Sequence, residues 1–326
     1  MPRVDCGNCG VKQVSVSWAR PGSGFTLLFE ALVLQMAQHM AVTAVAGLVR
    51  AHPDSVWRIL MHYVDQAREL QDLDSLTAIG IDETSRRKGH HYVTLFADLD
   101  QRRVLFVTEG KGSATVGRFV RDLKRRGGDP KQIEQVCMDM SPAFISGVQA
   151  KLPHADITFD RYHVMALVND AIDEVRRRET ETEPVLKKSH YLWLKNPENL
   201  KAKDAQRLEA LTQLHLKTAR AYQMKLTLQG LWEYRHAYYA EQYLKKWYWW
   251  ATHSRLEPMK AVAATIKRHW DGILHFIHSR ITNGILEGIN AKVKAAAKRA
   301  FGFKTFEYYR TIIYLIAGKL EMPVPA

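Results

Sequence analysis

TAIGID at residues 77–82, YVTLFAD at 92–98 and RVLFVT at 103–108 decide the fold of this chain. All three are short apolar runs rich in β-branched and aromatic side chains, which pack well on a pleated, half-buried surface. The polar turn Asp100-Gln101 joins the second run to the third, so the three read as an antiparallel meander. Farther on, residues 114–126 carry helical apolar spacing and stop at Gly127-Gly128. QVCMD at 135–139 and DITFD at 156–160 supply two more strands with a helical stretch between them. A meander followed by strands that alternate with helices predicts an α/β fold, a five-stranded mixed sheet with flanking helices.

Upstream, residues 25–70 space their apolar side chains helically in three pieces, 25–40, 42–50 and 54–70, with Ala51-His52-Pro53 before the last. Pro53-Asp54 is a good helix start, because proline's missing N–H costs nothing in the first turn. Three short helices with a tight link predict a helix-turn-helix over residues 25–70. Ser55, Arg58 and His62 share a face of its third helix and could approach a major groove; a packing appendage without base contacts is the alternative. Residues 1–24 are punctuated by Gly and Pro and hold Cys6-Gly-Asn-Cys9-Gly, a knuckle turn offering two thiolates, half of a four-ligand zinc site. Beyond the last strand, nearly everything from 164 to 280 reads as helix. Its aromatic run KWYWW at 246–250 is either core at helical spacing or a platform for unpaired bases. Helices at 283–299 and 306–320 follow, separated by Gly302.

The 326 residues suffice for about two domains and a self-sufficient core. Lys and Arg total 47 against 34 Asp and Glu, a formal charge of +13 that argues for a polyanionic partner, nucleic acid first. Hydrophobic residues at 46% and charged residues at 25% exclude disordered and collagen-like classes. Three cysteines exclude a disulfide-rich secreted scaffold and fit a reducing cytosol. The most apolar stretch, 25–37, contains Glu30 and Gln35 and is too short to span a bilayer, and no secretory leader is visible. The expectation is a cytoplasmic protein with no membrane partner.

Asp82, Asp139 and Asp160 each end an expected strand. Singly, such an acid caps a turn or a helix. Together, acids at the ends of adjacent strands can converge on one sheet edge, where a hard divalent cation relieves their repulsion. Two such ions about 4 Å apart serve phosphodiester chemistry.

Four blocks extend this pattern: Gly80-Ile-Asp82-Glu-Thr-Ser-Arg-Arg-Lys-Gly89, Met138-Asp139-Met-Ser141, Phe159-Asp160-Arg-Tyr-His163 and Ile281-Thr-Asn-Gly-Ile-Leu-Glu287-Gly-Ile-Asn290. In this order and spacing they resemble the transposases of the bacterial ISL3 insertion-sequence family, over practically the whole chain. The resemblance implies a ribonuclease H-like core with a DDE triad, interrupted by a large all-helical insertion. It places the first part of the core at 71–179, the insertion at 180–275 and the part with the third acid at 276–326, behind a partial zinc-ribbon-like segment at 1–24. Carried over by motif, Asp82, Asp139 and Glu287 are the three acids, holding two Mg2+ or Mn2+ ions. Glu83 and Glu257 are acids in other plausible places, and Glu83 points the opposite way if the strand continues through it. Asp160 and His163 match an Asp-x-x-His element expected to support the site; a helix cap with a packed histidine is the alternative. Family members usually carry a further Cys-x-x-Cys upstream, so Cys6 and Cys9 would supply one half of a zinc site completed by that second pair, and the resemblance suggests an N-terminally shortened protein.

On the last-but-one helix, Glu287, Asn290, Lys294 and Lys298 share one face, while Ile285, Ile289, Val293 and Ala296 occupy the core face. An acid beside an amide and two ammonium groups suits a phosphate backbone, or else is a solvated ion-paired face. Basic clusters at Arg86-Arg87-Lys88, Lys124-Arg125-Arg126 and Arg176-Arg177-Arg178 are further candidates for phosphate contact. No Walker-type loop, GxGxxG or HExxH is present. The expected activity is metal-dependent hydrolysis at element ends and 3′-hydroxyl strand transfer into target DNA, by a homodimer or higher oligomer on double-stranded DNA at the bacterial nucleoid. A ribonuclease H-like nuclease without strand transfer and a non-catalytic DNA-binding inhibitor are the alternatives.

Overall fold

The computed structural model describes residues 3–14, 16–87, 89 and 91–323, without the side chains of Gln13 and Arg87. The chain divides into two compact units, Met1–Ile133 with Gly284–Ala326, and Glu134–Asn283. The first unit opens with a hairpin, β1 (Arg3–Cys6) and β2 (Gly10–Gln13), followed by α1 (Leu27–His39), α2 (Val42–Leu48) and α3 (Pro53–Glu69). The helix starts obey local rules: Thr26 caps α1 by accepting the Phe29 N–H, and Pro53 takes the first turn of α3 behind His52. Glu30 of α1 is fully buried, yet it accepts from Arg20 at 3.0 Å, from the Tyr63 hydroxyl at 2.6 Å and from the Ser23 hydroxyl. Burial pushes its carboxyl up, but the Ser23, Tyr63 and Arg20 donors outweigh this and hold it below the usual carboxylate range.

The meander follows as β3 (Ala78–Arg87), β4 (His91–Asp98) and β5 (Arg103–Glu109), then α4 (Ala114–Arg125), which stops where Gly127 turns left-handed at φ 87. β3 is longer than its apolar run suggests. Pairing continues through Glu83↔Thr94, Thr84↔Val93 and Ser85↔Tyr92, because the backbone of β4 offers partners regardless of side-chain polarity. Asp82 is therefore a mid-strand residue opposite Leu95, a correction to its expected place at a strand end.

The second unit begins with β6 (Gln135–Met138), α5 (Pro142–Lys151) and β7 (Asp156–Phe159), the two strands being parallel with Gln135↔Asp156 and Met138↔Phe159 in register. α6 (Arg161–Glu179) starts at Asp160. Its remaining elements are helical: α7 (His190–Leu194), α8 (Ala202–Thr212), α9 (Lys217–Gln229), α10 (Ala237–Thr252), α11 (Glu257–Arg268) and α12 (Trp270–Ser279), with short 3-10 turns between some of them. Gly272 lets α12 lie on β7, since a Cβ there would come within 2.5 Å of the Phe159 ring. Of the aromatic run, Trp247 is core and donates Nε1–H to the Met224 carbonyl at 2.8 Å, while Trp249 is exposed and stacks on His253. Within the first unit the strands lie in the order β5-β4-β3, all antiparallel, and within the second β6 and β7 are parallel, the mixture of directions expected.

α13 (Gly284–Arg299) and α14 (Phe306–Ala317) return to the first unit. On one face of the meander, Val93, Leu95, Ala97, Val104 and Val107 share a core with α1–α3, α13 and α14. Trp57 of α3 stacks there on Tyr308 at 4.0 Å. On the other face Phe96 stacks on Phe119 of α4 at 4.5 Å, as the period of two along β4 requires. α13 is rotated from its expected setting: Leu286, Ile289, Asn290, Val293 and Ala296 are buried, and Ile285 is only half-buried. Among the described residues no helix is long and apolar enough to cross a membrane.

Candidate active site

Register decides which way the acids of β3 point. Cross-strand partners share a face, so Asp82 lies with Leu95 on the face that carries α13, and Glu83 lies on the other. Asn290 of α13 donates its Nδ2–H to Asp82 Oδ2 at 2.6 Å. This bond draws the amide inward and explains the rotation of the helix. Glu287 is exposed one turn before Asn290, so the third expected acid sits on the helix that is bonded to the first.

In the second unit Asp139 follows β6, half-buried, and accepts the Ser141 N–H through Oδ1 at 3.0 Å. Asp160 is buried and engaged through both oxygens. Oδ1 accepts the Tyr162 N–H at 2.9 Å, capping α6, and Oδ2 accepts the Asn283 N–H at 2.6 Å. It is thus a cap and also a latch on the turn that leads into α13. Asn283, itself buried, escaped the sequence reading, although the Asn283-Gly284 pair is a turn signal. His163 is half-buried in the first turn of α6, its ring edge-on to Tyr162 at 5.6 Å.

Carboxylates at 82, 139 and 287 are hard oxygen donors, and the buried Asn290 Oδ1 has no hydrogen-bond partner among the described residues. The donor chemistry therefore fits a hard divalent cation. Among the described residues, no group of three or more His, Cys, Asp and Glu side chains is gathered to hold one. Cys6 and Cys9 close the β1–β2 hairpin with their sulfurs 3.5 Å apart. The Asn8 backbone N–H and then Cys9 hold the Cys6 thiol below its usual value. Two thiols without a third described partner do not fit a four-ligand zinc site.

Of the expected DNA contacts, Arg58 is exposed and donates to Ser55 Oγ at 3.2 Å. His62 is half-buried, and burial together with the charge of Arg20 pushes its pKa down. Lys294 and Lys298 are exposed on α13. Arg86 is engaged by Glu109 at 3.4 Å and by the Lys304 carbonyl at 3.5 Å. Arg87 belongs to β3 without a described side chain, and Lys88 lies outside the described residues. The cluster at 124–126 is largely structural: the Arg126 guanidinium is buried against Asp122 at 3.0 Å and the Leu105 carbonyl at 3.1 Å, and Arg125 pairs with Glu69 at 2.8 Å. Arg176 and Arg177 pair with Asp173, and Arg178 with Glu174, along α6.

Residues 79–313 match a family model described as transposase, of the DDE type in ISL3, and residues 14–64 match the helix-turn-helix domain of transposase family ISL3. The second match begins ahead of the expected helices and takes in Arg20 and Ser23, which bond to Glu30. The chain is 29% identical to the transposase for insertion sequence element IS1557 of Mycobacterium tuberculosis, over 93% of this chain and 74% of that one. It is 28% identical to the transposase for insertion sequence element IS1001 of Bordetella parapertussis, over 94% of this chain and 77% of that one. With a family match that spans the mixed sheet and a second on the N-terminal helices, this chain belongs to the ISL3 family of insertion-sequence transposases.

Proposed function

We propose that this transposase cuts and joins DNA through Asp82, Asp139 and Glu287, acting together on two divalent ions, Mg2+ or Mn2+. The observation that carries the reading is the 2.6 Å bond from Asn290 to Asp82, which ties the first acid to the helix of the third. When bound, the ions would activate the attacking oxygen and stabilise the leaving one. The remaining work belongs to the chain. Asn290 holds the Asp82 carboxylate in one orientation, and Asp160, with His163 beside it, holds the turn at Asn283. Lys294 and Lys298, on the side of α13 that carries Glu287, receive phosphates, and Ser55, Arg58 and His62 of α3 face the groove.

The first reaction hydrolyses a phosphodiester at an element end, water supplying the attacking oxygen and the 3′-oxygen leaving. The freed 3′-hydroxyl then takes the place of water, attacking a target phosphodiester in line and joining to its 5′-phosphate while the target's 3′-oxygen leaves with the proton the hydroxyl gives up. No covalent protein–DNA intermediate is needed. Residues 71–179 and 276–326 form the catalytic core in this reading, 180–275 the insertion, and joining two ends requires a dimer or higher oligomer on double-stranded DNA, acting in the cytoplasm at the nucleoid. The test is incubation of the full chain with labelled end-containing DNA and plasmid, with and without Mg2+. Asp82→Asn, Asp139→Asn and Glu287→Gln should each abolish nicking and 3′-end joining while DNA binding persists. Retained cleavage in any of the three removes that residue from the triad, and nicking without joining favours a nuclease.

A further inference from the structure

Helix α13 ends in a conformation that its own packing does not justify. The Gly302 N–H bonds to the Ala297 carbonyl at 2.8 Å and the Phe301 N–H to the Lys298 carbonyl at 3.2 Å, the paired bonds of a Schellman cap. That motif puts its left-handed residue at 301, where φ is 53. Glycine usually fills the position, because a Cβ is strained there. Here glycine stands one place later and phenylalanine takes the strain. Nothing in the fold rewards the ring, since Phe301 is 101% exposed. Phe303, two residues on, packs against the core, edge-on to Trp57 at 6.3 Å. A strained and wholly exposed aromatic ring in a well-bonded turn marks a place where a partner covers it.

The surroundings identify the partner. Lys292, Lys294, Lys298, Arg299 and Lys304 are all exposed on α13 and the turn after it, and Glu287 is the single acid of that helix. The acids nearby are Glu307, in the first turn of α14, Asp54, which lines a cavity with Arg299 and Lys304, and Glu109, which is paired with Arg86, so the cations still outnumber them. A lone ring at the tip of a cationic collar suits a DNA duplex, with phosphates meeting the collar and the ring meeting a base step. An apolar protein groove would match the ring but not the positive charge around it. We propose that Phe301 is a DNA wedge that enters a base step and partly unstacks it, while Lys298, Arg299 and Lys304 hold the flanking phosphates. Fourteen residues separate it from Glu287. At the helical rise this is about 21 Å, so the distorted step lies on the order of six base pairs from the cut. The wedge rests on the DNA-processing reading above.

The experiment uses the full chain and a random-sequence duplex of about 40 base pairs with 2-aminopurine at successive TA steps, the steps that unstack most easily. Anisotropy reports binding and 2-aminopurine fluorescence reports unstacking in the same sample. Wild type should bind and raise the fluorescence. Phe301→Ala should bind within about threefold of wild type and lose most of the rise, and Phe301→Trp should restore it. Phe301→Gly, which relieves the left-handed strain, should melt about 2 °C higher and still give no rise, an outcome that a merely structural role would not produce. An undiminished rise with Phe301→Ala, or wild-type binding with no rise, overturns the wedge and leaves the DNA reading intact. Absence of duplex binding by wild type overturns both.

Discussion

Replacing Asn290 by alanine should slow DNA cleavage without weakening DNA binding. The Asn290 amide is buried and donates to Asp82 at 2.6 Å. A hydrogen bond to a charged group contributes about 1.5–3 kcal/mol net. If that bond holds Asp82 in its reacting orientation, the loss appears in the rate, and at about 1.4 kcal/mol per factor of ten it amounts to roughly 10- to 150-fold. Asn290→Asp keeps the shape and replaces the donor by a second carboxylate. At an effective dielectric of about 20, two charges about 4 Å apart repel by up to about 4 kcal/mol, so this variant should be slower than the alanine variant. Its deficit should shrink as Mg2+ is raised, because a cation between the carboxylates offsets the repulsion. The assay is single-turnover nicking of a supercoiled plasmid that carries an element end, with anisotropy binding measured alongside. A folded Asn290→Ala protein that nicks within about threefold of wild type would refute the argument, since that leaves less than about 0.7 kcal/mol for the bond.

Asp160→Asn keeps one carbonyl acceptor and should lower stability by about 1–2 kcal/mol, with cleavage reduced by no more than about tenfold. Complete loss of cleavage in a folded Asp160→Asn protein would instead make Asp160 a direct participant. Glu30→Gln should destabilise the chain by about 1–3 kcal/mol in a denaturant titration, because the Arg20 guanidinium loses its buried carboxylate. The Glu30 carboxyl titrates lower in the folded chain than in the unfolded one. Its contribution is therefore present at neutral pH and lost as pH falls through the folded value, and identical acid-unfolding curves for Glu30→Gln and wild type would contradict this. Lys225 is buried, donates to the Leu194 carbonyl at 2.6 Å, and is pushed down by burial to about 8. The folded chain then releases this proton before the unfolded one does. Wild type should gain melting temperature relative to Lys225→Met as pH rises from about 8 towards the ordinary lysine value, and a constant difference across that range would exclude the effect.

Much of the architecture was legible because its signals are local. Pro53 opens α3, Gly127 closes α4, and the apolar runs around Leu95, Val107 and Val136 mark strands wherever they pair. The acids at 82, 139 and 287 could be named from motif order for the same reason. The end of β3 could not, because residues 83–87 are polar and are held in the sheet by β4. Nor could the buried face of α13. Ile285 and Leu286 are equally apolar, and the choice between them follows from Asn290 reaching a carboxylate 208 residues away.

The basic clusters teach the same lesson. Arg125 and Arg126 read as phosphate contacts until Asp122, Glu69 and the Leu105 carbonyl are seen to occupy them. Element types, their order and the candidate acids were set by the sequence alone, since periodicity, caps and turns act over a few neighbouring residues. Which polar groups are buried, and which remain to meet DNA, was decided only in three dimensions. A charge or an amide leaves water when a partner waits for it, and for Asp82, Glu30 and Arg126 the partners include groups from distant segments of the chain.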